Sequence, residues 1–176
     1  MLHSKEYSIK MAGVGGQGIR IAGIVLGTAA TIEGKYASHW PSYGVETRGG
    51  PSISDVIISD NRIVYPRATS IDILVLMASG FSEYINKVKN GGSIILDEDL
   101  VKEKIERSDV TVKRVAITSI ADRLGKRGMV NMVMLGRLIS ITRILSEDSI
   151  IKSINVVLPE HLRKDNIEAF KVGMVW

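Results

Sequence analysis

The chain has 176 residues, 45% of them hydrophobic and only 5% aromatic, enough for one largely aliphatic core of ordinary α/β composition. Its net charge of +4 is scattered along the sequence, without the dense basic stripe and interleaved aromatics of a nucleic-acid groove. It has no cysteine, which excludes disulfides, thiolate nucleophiles and cysteine-ligated clusters, and its three histidines lack metal-site spacing.

The N-terminus does not have the form of a signal peptide. The apolar run Ile21–Ala30 falls short of the about 20 residues that span a bilayer. No linker or repeat divides the chain, so the expectation is a single cytoplasmic domain over residues 1–176.

Taken in order, Tyr7–Ala12 reads as a strand entering the core. A glycine loop follows, then a helix over Ile19–Ile32, with apolar residues at helical spacing. Gly23 and Gly27 lie one turn apart on it and permit close approach of another element. Gly34 suits the helix C-terminal cap. Lys35–Trp40 reads as a second strand, and residues 41–52 as turn-rich. Ile53–Ser59 is a strand, and Asp60-Asn61 predicts a tight hairpin turn with Arg62–Tyr65 returning antiparallel.

Ile71–Met77 is an apolar run suited to a strand buried on both faces. A short helix over Gly80–Val88 comes next. Asn90-Gly91-Gly92 reads as a turn into the strand Ser93–Asp97, and Val110–Val115 as a weaker strand. Ile117–Leu124 reads as a short helix with Thr118 at its N-cap. Met129–Leu145 reads as the longest helix, apolar nearly all round. Ser146 caps a helix over Ser146–Val157, with Glu147 and Asp148 at its positive end. Pro159 breaks the chain before a last amphipathic helix, His161–Val172.

Two segments carry chemistry. Gly13-Val14-Gly15-Gly16-Gln17-Gly18 matches G-x-G-x-x-G between a strand and a helix, where helix amides can meet a phosphate. A dinucleotide site also needs an acid at the end of the second strand, and that strand ends Ser38-His39-Trp40-Pro41. The same loop serves equally as a tight turn packed against a neighbouring chain. A stand-alone NAD(P)-binding protein and a small nucleotide-binding module remain alternatives.

The second segment is SYGVETRGGPS. Gly44, Gly49 and Gly50 permit unusual backbone, and Glu46 and Arg48 point the same way in an extended chain. Arg48 could hold a carboxylate or phosphate, or pair with Glu46 or across an interface. Tyr43 could stack on a flat ligand or cover the core. Asn131, opening an apolar helix, needs a partner if buried, and the glycine loop is within its options. Asp97-Glu98-Asp99 reads as a solvated turn and helix start.

Together, GVGGQGI and the later PSYGVETRGG resemble the gamma subunit of 2-oxoacid:ferredoxin oxidoreductases. The resemblance continues through ISDNRIVYP, DILVLM, GGSIILD, NMVMLGRL and NIEAFKVG, and so covers nearly the whole chain in order. It implies a three-layer α/β/α fold with a mixed, mostly parallel sheet, like the gamma domain of pyruvate:ferredoxin oxidoreductase. It implies a complex that oxidatively decarboxylates a 2-oxoacid to an acyl-CoA, with ferredoxin as electron acceptor. Thiamine diphosphate, Mg, iron–sulfur clusters and coenzyme A would belong on or with other subunits, and none would be bound tightly here. Partners would be alpha and beta subunits and a ferredoxin-like delta subunit or cluster domain, with neither nucleic acid nor membrane involved. The isolated chain would be inactive and would form a homodimer.

The resemblance also marks Gly13, Gly15, Gly16, Gln17 and Gly18, with Tyr43, Gly44, Glu46, Arg48, Gly49 and Gly50, as interface or coenzyme A-facing residues. It implies no catalytic or metal-binding residue. The Arg-Gly-Gly form of the second loop favours the 2-oxoglutarate branch over the pyruvate and branched-chain 2-oxoacid branches.

Overall fold

The computed structural model describes residues 5–43, 49–67 and 69–176. Its strands are β1 (Glu6–Val14), β2 (Tyr36–Tyr43), β3 (Pro51–Ser59), β4 (Ile71–Leu76), β5 (Val88–Asp97) and β6 (Thr111–Val115). Its α-helices are α1 (Ile19–Ile32), α2 (Ile117–Arg123), α3 (Val130–Thr142), α4 (Glu147–Val157) and α5 (Glu160–Val175). Among the described residues the strands form one sheet, in the order β2-β3-β1-β4-β5-β6. β1, β4, β5 and β6 run parallel, while β3 runs antiparallel to both its neighbours. This is the mixed, mostly parallel sheet expected of the chain.

Alternation along the strands sorts the core into two faces. Ile9, Met11, Val56, Ile58, Ile73, Val75 and Ile95 pack with residues from all five helices. The opposite face is thinly covered. There Leu74, Leu76, Ile94 and Leu96 pack with Phe81 and Ile85 of a 3₁₀ turn (Ser82–Lys87) and with Val101 and Ile105 of the extended segment before β6.

Several local expectations are corrected. Arg62–Tyr65 is not a strand, because both edges of β3 are already filled up to Ser59, by Glu6 of β1 and Tyr36 of β2. Val64 is accordingly 93% exposed. Asn90-Gly91-Gly92 lies inside β5, at an irregularity where pairing passes from Ile71–Val88 to Ile73–Ser93. A Cβ on Gly92 would sit 2.7 Å from Val88 Cγ1, so only glycine fits that bulge. The short helix expected over Gly80–Val88 is present, as a 3₁₀ helix over Ser82–Lys87. The apolar helix stops at Thr142 because Arg143 turns left-handed (φ 50°), which leaves the 16-residue α5 longer than the 13-residue α3.

Thr118 does not cap α2 with its side chain. Asp97 and Asp99 do so from the end of β5, accepting from the backbone N–H groups of Thr118 (3.4 Å) and Ser119 (2.7 Å). Asp97 is therefore wholly buried rather than part of a solvated turn. Ser146 does cap α4, accepting from Ser149 N–H at 3.2 Å, and Gly34 ends α1 at φ 76°.

α3 and α5 cross on two glycines. A Cβ on Gly136 would lie 2.7 Å from the carbonyl carbon of Gly173, and one on Gly173 would lie 2.9 Å from Val133 Cα.

Candidate functional site

The glycine loop leaves the C-terminal end of β1 at the centre of the sheet. Gln17 closes it: its Oε1 accepts from Val14 N–H at 2.8 Å, and its Nε2 donates to the Met77 carbonyl at 2.7 Å. Met77 N–H in turn donates to the Ala12 carbonyl at 2.8 Å. The amide that could have met a ligand is thus spent joining the ends of β1 and β4. Gly13 is needed because a Cβ there would overlap Gln17 Oε1.

The two glycine-rich segments meet. Gly15 N–H donates to the Gly50 carbonyl at 2.8 Å, and a Cβ on Gly15 would lie 3.2 Å from Gly49 N. Gly16, Gly18 and Gly49 all have positive φ, at 100°, 71° and 76°. Nothing in the described structure lies within 4 Å of a Cβ placed on Gly16, so the described residues leave the loop's tip uncovered. Tyr43 is the last residue of β2, which ends beside the start of β3. Gly44, Glu46 and Arg48 lie outside the described residues.

Gly18 begins α1 in the left-handed region. Asn131 of α3 reaches it: Nδ2 donates to the Gly18 carbonyl at 3.2 Å, and a Cβ on Gly18 would sit 2.5 Å from that nitrogen. No side chain caps α1 and no acid lies in its first turn, where Arg20 is exposed. The positive end of α1 is therefore uncompensated by the described residues, and it faces that tip.

His39 and Ser54 hold the first turn of α1 from below. Ser54 Oγ donates to the Ile19 carbonyl at 3.1 Å, so the contact of 3.1 Å between His39 Nε2 and Ser54 Oγ is a donation from the ring. Burial, and then the charge of Arg20, lower the His39 pKa, while Asp55 acts the other way. The ring fits only because residue 23 is glycine, where a Cβ would lie 2.5 Å from Nε2. Sequence reading placed Gly23 as a close approach. It had no signal for Ser54 or for the Met77 carbonyl.

The arrangement can orient an anion and present backbone to a partner. It has no nucleophile, and no acid–base pair among the described residues. It is also not a dinucleotide site: β3 stands between β1 and β2, so β2 cannot bring a ribose-binding acid beside the loop, and Tyr36–Tyr43 contains no acid.

A central mixed sheet with the five α-helices of the described residues on one face, and a closed glycine loop where a cofactor crevice would open, define a non-Rossmann α/β domain. The chain belongs to the pyruvate ferredoxin/flavodoxin oxidoreductase family, which residues 8–176 match. It is 41% identical over 169 residues to the 2-oxoglutarate synthase subunit KorC of Methanocaldococcus jannaschii, covering 94% of this chain and 90% of that one. It is 31% identical over 173 residues to the pyruvate synthase subunit PorC of Methanothermobacter thermautotrophicus, covering 94% and 92%.

Among solved structures it resembles the gamma subunit of keto/oxoacid ferredoxin oxidoreductase from Geobacter sulfurreducens, at 32% identity and TM-score 0.84 over 97% of this chain and 95% of that one. The fold also recurs, at 22% identity and TM-score 0.85, in the 2-oxoglutarate:ferredoxin oxidoreductase of Magnetococcus marinus. That enzyme was solved with 2-oxoglutarate, coenzyme A and succinyl-CoA bound; the match covers 96% of this chain and 30% of that one. The NAD(P)-binding alternative finds no support in these likenesses.

Proposed function

We propose that this chain is the gamma subunit of a cytoplasmic 2-oxoglutarate:ferredoxin oxidoreductase, and that its joined glycine loops face coenzyme A at a subunit boundary. The observation that carries the reading is the Gly15–Gly50 hydrogen bond. It gathers both motifs into one surface beside the uncompensated end of α1, a setting suited to the phosphates of coenzyme A. Gly16 and the first-turn amides of α1 would receive a phosphate there, with Arg20 adding charge. Coenzyme A, when bound, supplies the thiol that accepts the acyl group. Gly13, Gln17, Gly18 and Asn131 position the loop without touching the reaction.

The 2-oxoglutarate choice is supported by the higher identity to KorC than to PorC. Thiamine diphosphate, Mg and the iron–sulfur clusters belong to alpha, beta and delta partners in this reading. A chain without cysteine offers no thiolate to a cluster. Trp40, Val64 and Tyr65 are exposed along β2 and the strap bound to it through Ser38 Oγ and the Pro66 carbonyl, a face suited to a partner. The isolated chain is inactive and covers that face by dimerising.

Anaerobic co-purification of a tagged chain, followed by assay with a panel of 2-oxoacids, coenzyme A and a dye acceptor, tests the proposal. Recovery of a thiamine-diphosphate subunit with activity on 2-oxoglutarate is expected. A complex that prefers pyruvate would overturn the substrate choice, and turnover by the lone chain would overturn the subunit role.

A further inference from the structure

The helices cover one face of the sheet, and the other is left thin. On that thin face, over β3 and β1, lies a cavity of about 390 Å³, within the size range of small-molecule sites. It sits at mid-strand, away from the glycine loop at the strand ends. Its floor is Lys10 of β1, nearly buried and paired with its cross-strand neighbour Asp55. Its walls are the 3₁₀ turn, which supplies Tyr84 and Lys87, and the strap after β3, which supplies Arg67 and Thr69.

Charge in this cavity is unbalanced, with three cations lining it against one carboxylate. Asp55 is engaged by Lys10. Arg67 and Lys87 pair with no carboxylate among the described residues. Both are steered by aromatic rings: Arg67 lies 5.3 Å from the Trp40 centroid and Lys87 lies 5.2 Å from that of Tyr84. Lys10 Nζ lies 4.7 Å from the same Tyr84 ring, so Tyr84 stands between two ammonium groups. Burial, and then the charges of Glu83 and Asp55 and a hydrogen bond to Glu83, raise the Tyr84 pKa, so its hydroxyl is already engaged at the cavity's edge and its ring is what faces the cations.

We infer that this cavity binds a phosphate dianion, either free or carried on a nucleoside, between Arg67 and Lys87. Two uncompensated cations match its charge. A tetrahedral dianion presents three or more acceptor oxygens in different directions to a guanidinium, an ammonium and the Thr69 hydroxyl, and it matches both positive charges, whereas a carboxylate carries a single charge in one plane. The inference does not depend on the coenzyme A reading; because Tyr65 lines the cavity and Arg67 packs on Trp40, it does require that a copy seated on the face of Trp40, Val64 and Tyr65 leave the cavity's mouth accessible.

Calorimetric titration of the full chain with inorganic phosphate and, separately, with AMP tests it. The variants are Arg67→Gln/Lys87→Gln and, as a control on the helical face, Lys164→Gln, an exposed residue of α5. Salt-sensitive binding is expected in the wild type and in Lys164→Gln, weakened roughly tenfold per cation removed in the double variant. Binding of both probes assigns a free-phosphate site, and binding of AMP alone assigns a nucleoside-borne one. Both altered side chains are exposed, and an unchanged thermal transition will show that the double variant is folded. The inference is overturned if neither probe binds, if the double variant binds like wild type, or if Lys164→Gln weakens binding as much as the double variant does.

Discussion

Gln17 donates from its side-chain amide to the carbonyl of Met77 at 2.7 Å, tying the turn after β1 to the end of β4. Its other amide atom accepts from Val14. Replacement by glutamate keeps the acceptor and turns the donor into a second oxygen facing a carbonyl. Gln17→Glu should lose about 1–3 kcal/mol in urea unfolding, the cost of stranding a partly buried polar group. Wild-type stability in this variant would mean that the loop is held by something else.

The crossing of α3 and α5 makes a sharper prediction. Gly136→Ala and Gly173→Ala force a methyl into opposing backbone, which cannot yield as a flexible side chain would. Each should cost about 3 kcal/mol or more, or abolish soluble expression. Gly128→Ala, with nothing within 4 Å of the new carbon and no positive φ, should stay within about 0.5 kcal/mol of wild type.

Gly16→Ala separates folding from function. The substitution strains a residue at φ 100° but meets no neighbour. It should cost only about 1 kcal/mol of stability. In the assembled complex it should raise the KM for coenzyme A while leaving that for the 2-oxoacid alone. Equal effects on both substrates, or none, would remove the loop from the coenzyme A path.

Two hydrogen-bonded acids, Asp97 buried and Glu103 partly exposed, should bend the stability–pH curve in opposite directions. Burial outweighs the hydrogen bonds from Thr118 and raises the Asp97 pKa from 3.8. The folded chain then keeps a proton that the unfolded chain has lost, so this contribution falls as pH rises from about 3.8 through the folded pKa. At Glu103 burial pulls upward, but donation from Gly80 N–H and the Ser79 hydroxyl prevails and lowers the pKa from 4.5. Its contribution is present above that value and is lost as pH falls through the folded pKa. Asp97→Asn should flatten the first limb and Glu103→Gln the second, read from denaturant unfolding at a series of pH values. A curve parallel to wild type in either variant would refute its assignment.

The parts of the fold legible in the sequence were those with a local period or a local cap. Ile19–Ile32 showed its helix through apolar spacing, Ser146 showed its cap, and Ile71–Met77 showed a buried strand through its unbroken apolar run. What was not legible depended on remote partners. Arg62–Tyr65 has strand composition, but whether it pairs depends on β1 and β2 having already taken the edges of β3. Thr118 has the chemistry of a cap, yet α2 is capped by carboxylates two elements away. In the candidate site, each glycine was visible but its reason was not. Gly13 answers to Gln17, Gly18 to Asn131 and Gly15 to Gly50; only the reach of Asn131 to the loop was among the options the sequence offered, because a polar side chain opening an apolar helix needs a partner.

Asn131 lies 113 residues after Gly18, and that separation has a consequence for how the chain is made. The glycine loop leaves the ribosome well before the side chain that fixes its last carbonyl, which arrives only when α3 is synthesised. Met77 and Gly50 arrive in between. The loop is therefore made early and completed late, since contacts this distant form slowly. A nascent chain stalled before Asn131 should carry its glycine motif intact in sequence and unfinished in shape.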